Sequence, residues 1–345
     1  MKQTRLYVLL IVVAGALIAA ALLHLSPEEP AGDRDMRIIH DMTGREVSIP
    51  GEVRRVVTAM YPVATQLMFL VGAQECLTGV SHMDVNEVMK RIHPPIAGIY
   101  QPGQTDHGEI SREEIVRMQP DVVFTHTRNA AGNDYSELGV ASIALRLENP
   151  EELIRGIELV GEVMNRREQA ARVAGYYRQK LDDIRERTSC IAERKKVYFA
   201  GPAMLSTAGG DFYQNFIIEH AGGINVAAEG SGGWCPVSVE HLLLWNPDFI
   251  FIGNYGTARV KDFLQDSRLS EITAVKNRDV YMSRSYIGSW DVPTPESLLG
   301  IMWLANMLYP EEVRFDMAAE MTEFYRTCYG YTPGADEIAG VLEAP

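Results

Sequence analysis

The sequence has 345 residues, enough for two lobes with their own cores, and its 46% apolar and 23% charged residues are an ordinary globular mix. Lysine and arginine number 32 against 46 acidic residues, a net charge of −14, which argues against a nucleic-acid partner because phosphate binding needs a basic surface. Four cysteines, Cys76, Cys190, Cys235 and Cys328, stand far apart with no CxxC or Cys/His cluster. That spacing argues against a zinc or dithiol site and for packed free thiols.

Lys2 and Arg5 precede an uncharged run from Leu6 to Leu23, and Pro27, Glu28, Glu29, Pro30 and Gly32 then form a polar linker. Positive charge ahead of an apolar run holds that end in the cytoplasm and sends the remainder out. The run is long for a signal peptide and just long enough to span a bilayer, so an uncleaved anchor is expected over a removed signal. Ala19 to Ala21 are the alternative, a small-residue cleavage site, and no cysteine follows to carry a lipid.

Residues 36–52 read as a hairpin turning at Thr43-Gly44. Arg55 to Met60 is a predicted strand, Pro62 opens a helix ending near Gly72, and Leu77 to Val80 is a second strand. Ile110 to Met118 is a predicted helix with Ser111 as its N-cap, followed by the buried strand Val122 to Phe124. Strand–helix–strand alternation of this kind makes a parallel α/β sheet. Residues 150–192 break the rhythm: Pro150 starts a helix running to about Met164, and Asn165 is the expected cap of a second helix through Arg187. Alternation restarts with the strand Lys196 to Ala200, the helices Asp211 to His220 and Val239 to Trp245, and the strands Phe249 to Ile252 and Val280 to Met282. Pro295 to Leu308 and Pro310 to Cys328 are the last predicted helices. The division is therefore residues 1–35 as anchor and linker, 36–148 as a first α/β lobe, 149–192 as connecting helices, and 193–345 as a second α/β lobe with terminal helices.

The halves repeat each other. Ser111-Arg-Glu113-Glu-Ile115 through Pro120-Asp121-Val-Val-Phe124 matches Ser238-Val-Glu240-His-Leu242 through Pro247-Asp248-Phe-Ile-Phe251 at a spacing of 127 residues, with five of fourteen positions identical. Each copy encodes a capped helix, a Pro-Asp turn and a buried strand. Two Rossmann-like α/β lobes with a cleft between them make a ligand site by geometry, since ligands sit at the carboxyl ends of such strands.

These segments resemble the solute-binding proteins of iron–siderophore, haem and cobalamin ABC importers. The resemblance is carried by Asp41-Met-Thr-Gly44-Arg45-Glu-Val47, Arg54-Arg55-Val56-Val57, the two Pro-Asp segments, Val275-Lys276-Asn277-Arg278-Asp279-Val280-Tyr281, and Trp290 to Leu299, over roughly residues 37–310. It implies two α/β lobes joined by a long connecting helix, a monomer that moves little on binding, and docking through both lobes onto an ABC permease and its ATPase. In that family one glutamate per lobe, seven residues before the proline of Pro-Asp, engages arginines of the permease. Here those positions are Glu113 and Glu240. Helix-dipole relief at the two helix starts is the simpler role for the same residues.

Ligand candidates lie in loops following strands: Met60, Tyr61, Tyr100, His126 and Arg128 in the first lobe, and Asp211, Trp234, Tyr255 and Trp290 in the second. The set is rich in rings and short of carboxylates, which suits a metal complex with an organic shell, such as a siderophore, haem or corrinoid. Tyrosine and histidine also ligate iron directly. Trp234 and Trp290 each follow small residues and are expected as rings on exposed loops. Gly209-Gly210 before Asp211 offers a helix end for a small oxyanion such as molybdate or tungstate, which some relatives of the family bind. No nucleophile elbow, His-Glu-x-x-His or dinucleotide fingerprint appears, so binding without chemistry is expected. The rivals from other classes are a chelate-handling enzyme and an anchored sensor domain.

Overall fold

The computed structural model describes residues 35–60, 63–80, 85–103 and 109–343. The amino-terminal apolar run, and the anchor expected there, lie outside the described residues, as do Tyr61, Pro62 and Ser81 to Met83.

A short two-stranded sheet, β1 (Met36–His40) and β2 (Glu46–Pro50), leads into the first lobe. That lobe is built from β3 (Val56–Thr58), α1 (Val63–Leu70), β4 (Leu77–Gly79), α2 (Glu87–Ile92), α3 (Arg112–Met118), β5 (Val122–His126) and β6 (Ala141–Leu145). Its sheet has the order β4-β3-β5-β6 with every pair parallel. Parallel strands covered on both faces must be apolar throughout, and Val56, Val57, Val122, Val123 and Phe124 are all fully buried.

Two antiparallel helices follow, α4 (Pro150–Val163) and α5 (Arg167–Thr188). Asn149 caps α4, its side chain accepting from Glu152 N at 2.8 Å, with Pro150 in the first turn. The expected cap of α5 is not used: Asn165 sits at φ 56° in the turn, and its Nδ2 donates instead to the Gly51 carbonyl at 2.8 Å. A cap residue needs extended backbone, and a left-handed one aims its side chain away from the first turn.

The second lobe contains β7 (Lys196–Ala200), β8 (Ser206–Ala208), α6 (Tyr213–His220), β9 (Ile224–Asn225), β10 (Trp234–Pro236), α7 (Val239–Trp245), β11 (Phe249–Ile252), α8 (Val260–Leu264), α9 (Thr273–Asn277) and β12 (Val280–Met282). Its main sheet has the order β12-β11-β7-β9, again parallel, and β8 with β10 forms a separate antiparallel pair. Three helices close the chain: α10 (Ser297–Leu308), α11 (Met317–Tyr329) and α12 (Ala335–Leu342). α11 starts later than Pro310 because Asp316 is its cap, accepting from Ala318 N and Ala319 N at 3.2 and 3.1 Å.

The internal repeat is preserved in detail. α3 and α7 both end in a left-handed residue, Gln119 and Asn246, each at φ 45°. Asp121 Oδ2 accepts from Arg54 N and Arg55 N, and Asp248 Oδ2 accepts from Lys196 N, so each Pro-Asp turn ties its helix to the start of the neighbouring strand. One buried apolar cluster runs through both lobes, joining Leu67 of α1 and Tyr177 of α5 to Ile217, Phe251 and Trp303. Such a shared close-packed core resists hinging.

Candidate functional site

The candidate residues divide between the loops that follow the carboxyl ends of the parallel strands and the core behind them. In the first lobe, β5 ends at His126, and its parallel partner β6 brings Glu148 beside it three residues after Leu145 (His126 pairs with Leu145). Glu148 Oε1 takes His126 Nε2 and an Arg128 guanidinium nitrogen, both at 2.9 Å. His126 Nδ1 accepts from Arg128 N at 2.9 Å, which puts the ring proton on Nε2, pointing at Glu148. The His126 hydrogen bond, then the Arg128 charge, hold the Glu148 carboxyl below the usual range against its burial. The Arg128 side chain remains 62% exposed and presents one edge to solvent.

In the second lobe the loops after β7 and β11, with Phe212 ahead of α6, meet around Trp234. Its ring lies 6.0 Å from Phe199 at 21°, 4.9 Å from Phe212 at 71° and 6.2 Å from Tyr255. Gly201 makes this possible, since a Cβ there would collide with the indole. Tyr255, 45% exposed, covers Gly253, and its hydroxyl accepts from Gln214 Nε2 at 3.3 Å. Burial of the hydroxyl, then the neighbouring Asp291 charge, hold the phenol protonated far above its usual value. Tyr255 therefore offers a ring face and a neutral hydroxyl rather than a ready phenolate.

Beneath it Ser289 Oγ lies 3.0 Å from Asn254 Oδ1 and also hydrogen-bonds the fully buried Asp291 carboxylate. Burial pushes the Asp291 acid up, against the pull of the Ser283 and Ser289 hydroxyls. Gln214 Oε1 and Thr207 Oγ have no hydrogen-bond partner among the described residues.

The structure corrects one expectation and narrows three others. Trp290 is not a ring on an exposed loop: it is fully buried, its backbone packed against Gly300, its indole nitrogen without a partner among the described residues. Met60, 5% exposed, belongs to the first-lobe core. Tyr100 is half-buried and committed to α3, its ring under the Arg117 guanidinium at 4.4 Å and its hydroxyl accepting from Arg117 at 2.9 Å. The Gly209-Gly210 turn is closed by main chain. Gly210 N donates to Gly230 O at 2.8 Å, a side chain at either glycine would strike residues 228–231, and Asp211 accepts from Gly232 N at 2.9 Å. The amide of Gly210 is thus spent within the loop.

Glu148, Gln214 and Asp291 escaped sequence reasoning because no local pattern marks them; Glu148 meets His126 only through strand pairing. Among the described residues no group of three or more His, Cys, Asp or Glu side chains is arranged to hold a metal ion. A cavity of about 440 Å³ opens among α1, α2, α5 and α11, lined by Phe69, His93, Gln169 and Arg326. It includes Gly72, just past the end of α1, and a helix that returns from the strand ends finishes at the opposite edge of the sheet. That cavity is therefore separate from the loops at the carboxyl ends of the strands.

Glu113 and Glu240 occupy the second position of α3 and α7 and are fully exposed. Ser111 Oγ accepts from Glu114 N at 3.3 Å and Ser238 Oγ from His241 N at 3.2 Å, so both helices start alike. Each glutamate's own N–H, then the capping serine, hold its carboxyl below the usual range.

A protein-family model described as periplasmic binding protein matches residues 57–286. The molybdate-binding protein MolA of Haemophilus influenzae is 29% identical, over 85% of this chain and 92% of its own length. Its structure with molybdate superposes at a TM-score of 0.75, with 26% identity over 86% of this chain and 99% of that one. A vitamin B12-binding protein of Vibrio parahaemolyticus is 24% identical, over 72% of this chain and 87% of its own. A periplasmic solute-binding protein of Veillonella parvula shares the fold at a TM-score of 0.79, with 24% identity over 90% of this chain and 97% of that one.

Proposed function

The chain belongs to the periplasmic binding protein family, the extracytoplasmic binding components of ABC importers, and from that premise we propose that it captures a metal complex with an organic shell between its lobes and delivers it to a permease. It is a binding protein, not an enzyme. The observation that carries the delivery role is the pair of equivalent capped helices, each presenting one exposed, ionised glutamate, Glu113 and Glu240. Dipole relief alone does not call for the same residue at the same turn of both lobes. Two acidic points, one on each lobe, match two basic points on a permease.

The ring cluster of Phe212, Trp234 and Tyr255 supports the organic shell, because a ligand with its own flat or apolar faces stacks there. A neutral Tyr255 phenol and a paired His126 favour contact with a chelate's outer atoms over direct capture of a bare ion.

A second reading is a molybdate or tungstate oxyanion, favoured by the likeness to MolA. Its counter-charge would be the exposed edge of Arg128, since the Gly209-Gly210 turn is filled. Residues 6–23 are proposed as the anchor that holds the domain at the outer face of the cytoplasmic membrane; recovery of the full chain in the soluble fraction would dismiss it.

Native mass spectrometry with metal analysis on residues 36–345, purified under mild conditions from its source, tests the ligand. One organic chelate per chain supports the leading reading, and bare oxyanion the second. An empty protein that ignores a panel of both sinks ligand capture. Glu113→Ala with Glu240→Ala is expected to abolish permease coupling with ligand affinity intact; unchanged coupling removes the docking role.

A further inference from the structure

Val116 and Leu243 are equivalent positions of the internal repeat, each one helical turn after a docking glutamate. Val116 is 57% exposed, Leu243 37%, and Leu244 beside it 78%. The preceding residues, Ile115 and Leu242, are fully buried in both lobes, so the two helices are rotated alike on their sheets. Residues three and four apart share a helix face, which sets Val116 beside Glu113, and Leu243 and Leu244 beside Glu240. Only eight large apolar side chains are exposed among the described residues, and three of them lie within one turn of these two glutamates.

We propose that each glutamate and its apolar neighbours form one composite contact, and that the partner is a membrane permease presenting two equivalent patches that pair a basic group with an apolar socket. This rests on the docking reading of Glu113 and Glu240 and deepens it. Charge selects the occupant. A second copy of this chain would bring acid against acid on a molecule of net charge −14, and an anionic lipid surface would be repelled likewise. A partner with two equivalent basic sites meets both patches at once. The apolar groups exclude water from the rim of each ion pair, which strengthens it and slows dissociation. The lobes differ in one respect: where the second lobe adds Leu244, the first has Arg117, drawn onto Tyr100. The second-lobe contact is therefore the more apolar of the two.

The test uses the full chain and its own permease–ATPase complex in lipid nanodiscs, with binding measured by interferometry at low and high sodium chloride. The triple variant Val116→Ser, Leu243→Ser, Leu244→Ser changes only exposed side chains and is expected to keep its melting temperature. Its affinity for the complex should fall on the order of tenfold to a hundredfold. The gap to wild type should persist at high salt, where the glutamates' share is screened. Wild-type affinity in the triple variant, with Glu113→Ala/Glu240→Ala weakened, overturns the composite contact and leaves the docking reading standing. No change in either variant overturns both. Self-association of wild type lost in the triple variant assigns the patch to a second copy, and binding of wild type to protein-free vesicles, lost in that variant, assigns it to lipid; either overturns the permease assignment.

Discussion

Asn86 uses both ends of its amide: Oδ1 accepts from Met89 N at 2.9 Å to cap α2 in the first lobe, and Nδ2 donates to the Ile287 carbonyl of the second lobe at 2.9 Å. One side chain thus starts a helix and ties it across to the other lobe. Asn86→Ser keeps the cap and loses the tie; Asn86→Ala loses both. Urea unfolding should place the serine variant about 1 kcal/mol below wild type and the alanine variant about 1 kcal/mol lower again. A serine variant as stable as wild type would mean that the bridge contributes nothing, and equal losses in the two variants that the cap contributes nothing.

The loop that receives this bridge is held from below by Glu296. Its fully buried carboxylate accepts from Ile287 N at 2.9 Å, from Gly288 N and from the Tyr325 hydroxyl. Burial, outweighing these three donors, pushes the acid up to about 7 from 4.5. A raised carboxyl keeps its proton in the fold after the unfolded chain has lost it, so stability falls as pH rises from about 4.5 to about 7 and is level beyond. The decline is on the order of 3 kcal/mol. Glu296→Gln should flatten this limb in thermal melts taken across that window, at the cost of one acceptor for the loop amides. An unchanged slope in the variant would assign the dependence elsewhere.

Gly201 sets the position of the Trp234 ring. Gly201→Ala should displace the indole, change tryptophan emission and weaken ligand binding at least about tenfold, with a stability loss of about 1–3 kcal/mol from overpacking. Intact affinity alongside a shifted emission would show that the ring is not a ligand platform.

Glu148 joins His126 and Arg128. A depressed carboxyl contributes stability that is present above its ordinary value of 4.5 and is lost as pH falls through the lower folded value. Glu148→Gln should therefore cost about 1–2 kcal/mol at neutral pH, and the gap to wild type should close in acid. Freeing the Arg128 guanidinium should also raise molybdate affinity under the oxyanion reading and leave chelate affinity within about twofold. Calorimetry with molybdate on both proteins reads the difference.

The N-caps at Ser111 and Ser238 and the Pro-Asp turns were legible because their signals are local: a side chain meets an amide three residues on, and a proline sets its own backbone. The start of α11 was misread for a local reason too, since Pro310 and Asp316 are both acceptable starts and only packing selects between them. The strand β6 was missed because Ala141, Ser142 and Ala144 give Ala141-Ser142-Ile143-Ala144-Leu145 little strand preference, and its place is set by pairing with β5.

Residue order by itself determined the α/β class, the repeat of a capped helix and buried strand, and the two exposed glutamates, because each depends on neighbours within a turn or two. Only the tertiary structure decided which rings are ligand surface and which are core. Trp234 and Trp290 both follow small residues, yet one is half-buried over Gly201 and the other fully enclosed. Burial is set by contacts between distant segments, as in the pairing of His126 with Glu148 across 22 residues or of Asn86 with Ile287 across 201. Chain-local patterns do not contain those distances; they arise when two sheets pack against one shared core.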